Sequence, residues 1–112
     1  MTNFERADVV LVRFPFTDQR GTKQRPAVII SNADYQQQRP DAILMAITSQ
    51  LHSNISFGER RLEHWQHAGL LKPSVFKPIV FTVHQSIIQK RLGTLHPDDQ
   101  NTLQEVIDSI IG

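Results

Sequence analysis

Asp8-Val-Val-Leu-Val-Arg-Phe-Pro-Phe16 and, after a polar connection, Lys23-Gln-Arg-Pro-Ala-Val-Ile-Ile30 decide how this chain reads. The β-branched run Asp8–Phe14 predicts a strand that stops at Pro15. The intervening Thr17-Asp-Gln-Arg-Gly-Thr-Lys-Gln24 has turn chemistry, with a single glycine among polar residues. Pro26–Ser31 then predicts a second, buried strand. Ala42-Ile-Leu-Met-Ala-Ile-Thr-Ser49 predicts a third, apolar almost without interruption and therefore buried on both faces.

Outward from this core the signals are weaker. Asn32 to Asp41 is polar, with three consecutive glutamines and Pro40, and reads as a loop or a short helical turn. Leu51 to Gly58 reads as loop or irregular strand, and Glu59 to Trp65 alternates weakly as a further strand. Ser74–Val83 predicts a long strand in which Pro78 requires an edge or bulged position, because proline cannot donate to a ladder. Ile87 to Leu95 predicts one more, broken near Gly93. The last segment is helical. Pro97 suits the first helical position after a His96 cap, and Asp98 and Asp99 suit the positive end of the helix dipole. Leu103, Val106, Ile107, Ile110 and Ile111 share one face at helical spacing. The five or six strands and the C-terminal α-helix together predict a mainly β fold built on a small, strongly bent sheet or barrel.

The 112 residues suit one domain, residues 1–112, with 39% hydrophobic and 21% charged composition. No apolar run is long enough to span a bilayer, and the N-terminus lacks the apolar stretch of a signal peptide, so no membrane association and a cytoplasmic location are expected. The absence of cysteine excludes disulfides, thiolate catalysis and cysteine-ligated metals. The five histidines make no metal signature: His64 and His67 are three apart, with no acidic partner at zinc-protease spacing. Neither a metal nor a cofactor is expected. A net charge of +1 is too small to grip nucleic acid by bulk electrostatics. It is unevenly spread, however. Arg13, Arg20, Lys23 and Arg25 cluster near the N-terminus, whereas Asp98, Asp99, Glu105 and Asp108 occupy a C-terminal stretch without lysine or arginine.

Three places can carry chemistry, and each has two readings. Arg25, held extended by the following proline, can present its fork to phosphate oxygens, or can pair with Asp8 or Glu5 as a structural cation. The hydroxyls and amide of Thr48-Ser49-Gln50 can bind a phosphate or a base edge, or can satisfy backbone groups where the sheet ends. His84, after the long strand, can be an acid–base group or an ordinary surface histidine.

The order of these features resembles the PemK/MazF toxin family. The resemblance is carried by Asp8–Phe16, the glycine-containing loop, Lys23-Gln-Arg-Pro-Ala-Val-Ile-Ile30 and Ile43-Leu-Met-Ala-Ile-Thr-Ser49. Downstream, Trp65, Ala68–Val75 and Lys90-Arg-Leu-Gly-Thr-Leu95 before a helix extend it over roughly residues 7–111. Ala7 departs from it, standing where the family has glycine, and so does Thr82-Val-His-Gln85, where many relatives carry an acidic residue. The resemblance implies an SH3-like barrel of the type shared with gyrase-poisoning toxins. It also implies a homodimer, single-stranded RNA as substrate, a cognate antitoxin, and operator DNA bound only together with that antitoxin. By the same resemblance the chain is a sequence-specific, metal-independent endoribonuclease, with Arg25 and Thr48 catalytic. Arg20 and Lys23 would hold the RNA backbone, and Ser49, Gln50 and Phe16 would touch bases. A non-catalytic gyrase binder and a nucleic-acid-binding regulatory module on the same barrel are the alternatives.

Overall fold

The computed structural model describes residues 4–14, 23–50 and 55–112. Six strands, β1 (Asp8–Phe14), β2 (Lys23–Ile29), β3 (Asp41–Thr48), β4 (Arg60–Arg61), β5 (Val75–His84) and β6 (Ile88–Thr94), form one sheet in the order β4-β5-β3-β2-β1-β6. Every pairing is antiparallel. Helix α1 (Ala33–Gln38) joins β2 to β3, and α2 (Pro97–Ile110) ends the chain. β4 and β6 are not joined, so the expected barrel is an open one among the described residues.

The central strands bury both faces because successive side chains point opposite ways. Val9, Val28, Met45, Ile47 and Phe76 build one core, completed by Leu103 and Val106 of α2. Val10, Val12, Ala27, Ile29, Ala42 and Leu44 build a second core on the other face, flanked by Phe4, Phe81 and Val83. Burying each such side chain contributes about 1.5–3 kcal/mol. Helix α2 caps as expected: His96 accepts from Asp98 N–H at 3.0 Å, and Pro97 opens the first turn. Its apolar stripe ends at Ile110, because Ile111 lies at the C-cap and is 64% exposed.

Two other expectations change. β2 begins at Lys23, not Pro26, so Arg25 lies within the strand instead of at its start. The strand expected from Glu59 to Trp65 shrinks to Arg60–Arg61, because the buried Asp99 carboxylate captures Glu63 N–H and His64 N–H, each at 2.9 Å. At Pro78 both permitted positions occur together. β4 covers only Val75 and Phe76, and the β3–β5 register shifts between Met45 and Ile47.

Two close approaches fix the remaining chain. Gly69 has φ +82°, and a Cβ there would lie 2.1 Å from the Leu92 carbonyl oxygen, so the segment before Leu70 meets β6 backbone to backbone. Ala7 adopts φ +77°, a left-handed conformation rare for a residue with a side chain, directly before the buried Asp8.

Candidate functional site

Arg25 pairs with Val12 across β1 and β2 and projects an exposed side chain. On its other side, β2 and β3 are aligned Ala27↔Ala46, Val28↔Met45, Ile29↔Leu44. The paired register ends at Ala27↔Ala46; continued by two residues, it directs Arg25 toward Thr48, the last residue of β3. Directly opposed residues share a face, with Cβ atoms about 4.5–5.5 Å apart. By alternation that face is the one built from Ala27, Ile29, Ala42 and Leu44, away from α2.

Thr48 is half-buried, and its Oγ1 accepts Gln50 N–H at 3.1 Å. The hydroxyl therefore closes the backbone turn that follows the strand. One lone pair is used in this way, and the O–H stays able to donate outward. The structure thus shows the backbone-satisfying reading of Thr48. Ser49 and Gln50 follow, both exposed.

The proposed structural partners of Arg25 are engaged elsewhere. The Asp8 carboxylate, 1% exposed, accepts Glu5 N–H at 2.8 Å and the Thr94 hydroxyl at 2.9 Å, and faces Arg91 at 3.6 Å. Among the described residues no ion pair joins Arg25 to Asp8 or Glu5. Lys23 opens β2 opposite Phe14. Phe16 and Arg20 lie outside the described residues, as does His52. His84 is not near this place. It pairs with Asp41 at the opposite end of β3 from Thr48, and its Nδ1 accepts Ser86 N–H at 3.1 Å as a cap.

On the α2 side of the sheet, immediately beside these residues, runs an apolar groove of about 510 Å³. Leu11, Pro26, Leu70 and Leu92 floor it, Lys72 and Lys90 supply positive charge, and Ser49 and Ser74 supply hydroxyls. Pro26 is the neighbour of Arg25 in sequence and Ser49 the neighbour of Thr48, so pair and groove meet at one rim of the sheet. Neither lysine stood out in the sequence. Their place depends on Lys90 lying opposite Leu11 and on the Gly69–Leu92 contact, which no local pattern encodes.

The expected acidic helix is largely engaged within the fold. Asp99 is fully buried, Glu105 pairs with Arg60 at 2.9 Å, and Asp98 lies 3.0 Å from His64. Among the described residues, no helix is long and apolar enough to cross a membrane.

Comparison with solved structures finds the same fold at low identity. An endoribonuclease in complex with its cognate antitoxin, from Mycobacterial species, superposes with TM-score 0.77 at 15% identity, covering 97% of this chain and 95% of the other. The Mycobacterium tuberculosis toxin MazF-mt6 gives 0.70 at 18%, covering 89% and 91%. The MazE–MazF complex from Deinococcus radiodurans gives 0.70 at 21%, covering 96% and 92%. Among curated protein sequences, none matches the chain significantly. Residues 5–111 match the family described as PemK-like, MazF-like toxin of type II toxin–antitoxin system, and the chain belongs to that family.

Proposed function

We propose that this chain is an endoribonuclease toxin that cleaves single-stranded RNA at Arg25 and Thr48 without a metal ion. What supports the reading is the β2–β3 register, which, continued past Ala27↔Ala46, directs an exposed arginine toward a strand-terminal threonine on one face. In such cleavage the ribose 2′-OH gives its proton to solvent water as its oxygen attacks the adjacent phosphorus. The bond from phosphorus to the 5′-oxygen breaks, that oxygen takes a proton, and the products are a 2′,3′-cyclic phosphate and a 5′-OH. Negative charge grows on the non-bridging oxygens in the transition state. Fixed donors aimed there are worth roughly 2.7–4 kcal/mol each. Arg25 offers two in a planar fork and remains charged throughout, so it acts as electrostatic stabiliser rather than as base. Thr48 offers a third from a hydroxyl whose oxygen is held by Gln50 N–H. In this reading Ser49 and Gln50, exposed next to Thr48, contact bases, and Lys23 and Arg20 are assigned to the RNA backbone by the family pattern. A homodimer and a cognate antitoxin complete the reading, in line with the antitoxin complexes among the similar structures.

Purified protein incubated with single-stranded RNA in EDTA tests this. Cleavage with cyclic-phosphate ends is expected, abolished in Arg25→Ala and reduced about 100-fold or more in Thr48→Ala, the loss of one preorganised donor. Intact RNA of varied sequence, together with inhibition of gyrase, would assign the chain to the non-cleaving alternative.

A further inference from the structure

We propose that His64, His96 and Asp98 form a binding site for a divalent transition-metal ion of the zinc class, set between the N-terminus of α2 and the segment before Gly69. His64 Nε2 lies 3.0 Å from Asp98 Oδ2, and His96 Nδ1 lies 3.7 Å from the same oxygen. One ligand atom from each of the three residues falls within 4.8 Å of the others. A tetrahedral zinc with bonds of about 2.0–2.2 Å separates its ligand atoms by about 3.3–3.6 Å, between the two spacings. Two imidazoles and one carboxylate suit zinc, while magnesium and calcium select oxygen-only sets.

The surroundings hold these groups in place. His64 N–H donates to Asp99 Oδ2 at 2.9 Å, so the backbone that carries the ring is fixed to the first turn of α2. His67 packs edge-on against His96, ring centres 5.3 Å apart. Its Nδ1 lies 3.0 Å from the Thr94 carbonyl oxygen, which can only accept, so Nδ1 is the donor and the ring is anchored beside His96.

Two costs oppose binding. The His64 and His96 rings stack at 3.9 Å with 24° between their planes, so their lone pairs converge only after a turn about Cβ–Cγ, a soft torsion. His96 must also give up the Asp98 N–H cap bond for a metal bond. The helix N-terminus repels a cation, and the Asp98 carboxylate offsets this directly. A bound ion would tie the segment leading to Gly69 and Leu70, which line the groove, to α2.

The test uses the full chain, freed of metal with EDTA and dialysed, then titrated with zinc chloride or, as control, magnesium chloride. One zinc per chain is expected by calorimetry, with a saturable rise of about 5 °C in the thermal midpoint and none with magnesium. His64→Ala and His96→Asn, the latter keeping a capping side chain, should each lose both signals, and His84→Ala should keep them. No shift, a fall, an equal rise with magnesium, or a rise surviving in either of the first two variants overturns the site. Cleavage of RNA in EDTA is independent of this result, so the two proposals fail separately.

Discussion

Ala7 shows how much one residue's backbone can carry. Its left-handed φ turns the chain so that Asp8 drops into the interior, where Thr94, Glu5 N–H and Arg91 surround the carboxylate. A left-handed conformation costs a non-glycine residue about 1–2 kcal/mol. Replacement by glycine removes that strain, but it loses a buried methyl worth about 0.8 kcal/mol and adds about 0.5–1 kcal/mol of unfolded-state entropy. Ala7→Gly should therefore stay within about 1 kcal/mol of the parent in urea unfolding. Ala7→Val, branched and 4% exposed at the parent position, should lose about 2 kcal/mol or more. Equal stability of the Val variant would show that the turn relaxes freely.

At the scale of elements, the fastening of α1 to β3 is electrostatic. The Tyr35 hydroxyl donates to Asp41 Oδ2 at 2.9 Å, and Arg39 Nε pairs with Asp41 Oδ1 at 3.1 Å. Burial pushes the Asp41 carboxyl upward, but hydrogen bonds from Tyr35, its own backbone and Arg39 outweigh it and hold the group below its ordinary 3.8. Hydrogen bonding to Asp41, then burial, raises the Tyr35 phenol above 10.0. The lowered carboxylate stabilises the fold above about pH 4, and that contribution is lost as pH falls through the folded-state value. The raised phenol stabilises it below pH 10, a contribution lost as pH rises through the folded-state value. Thermal midpoints measured against pH should fall at both ends, and Asp41→Asn should flatten both limbs. An unchanged acid limb in that variant would assign the acid sensitivity to other carboxylates.

Across the whole molecule, Asp99 links the two ends of the architecture. It begins the C-terminal helix, yet its two oxygens hold Glu63 N–H and His64 N–H, and so seat the segment that closes the groove beside β6. Hydrogen bonds to a charged acceptor contribute about 1.5–3 kcal/mol each, and removing the acceptor leaves both amides partly buried and unmet. Asp99→Ala should destabilise by about 3 kcal/mol or more, and Asp99→Asn, with one oxygen left, by roughly half that. Urea unfolding with an unchanged slope checks it. A loss under 1 kcal/mol would mean that the segment is seated by Leu62 and Ala68 packing alone.

What the sequence determined by itself was local. Alternation and β-branching placed the strands running from Asp8, through the apolar run of β3 and into β5, and the cap and stripe placed α2, because period-two and 3.6-residue patterns are written in consecutive residues. The Arg25-Pro26 step fixed an extended backbone there, and the family pattern singled out Arg25 and Thr48. Tertiary structure decided what lies between distant residues. The β2–β3 register directed Arg25 toward the end of β3, the Gly69–Leu92 approach brought Lys72 and Lys90 to one groove, and helix docking carried His96 and Asp98 to His64. Asp99 was legible only as a favourable charge at a helix start, and Glu59–Trp65 only as a weak strand. Their true relation, one carboxylate holding two backbone amides more than thirty residues away, has no periodicity to read. Pairing and close approach across such separations are settled by which buried polar groups find partners and which backbones can touch, and these are properties of the packed chain alone.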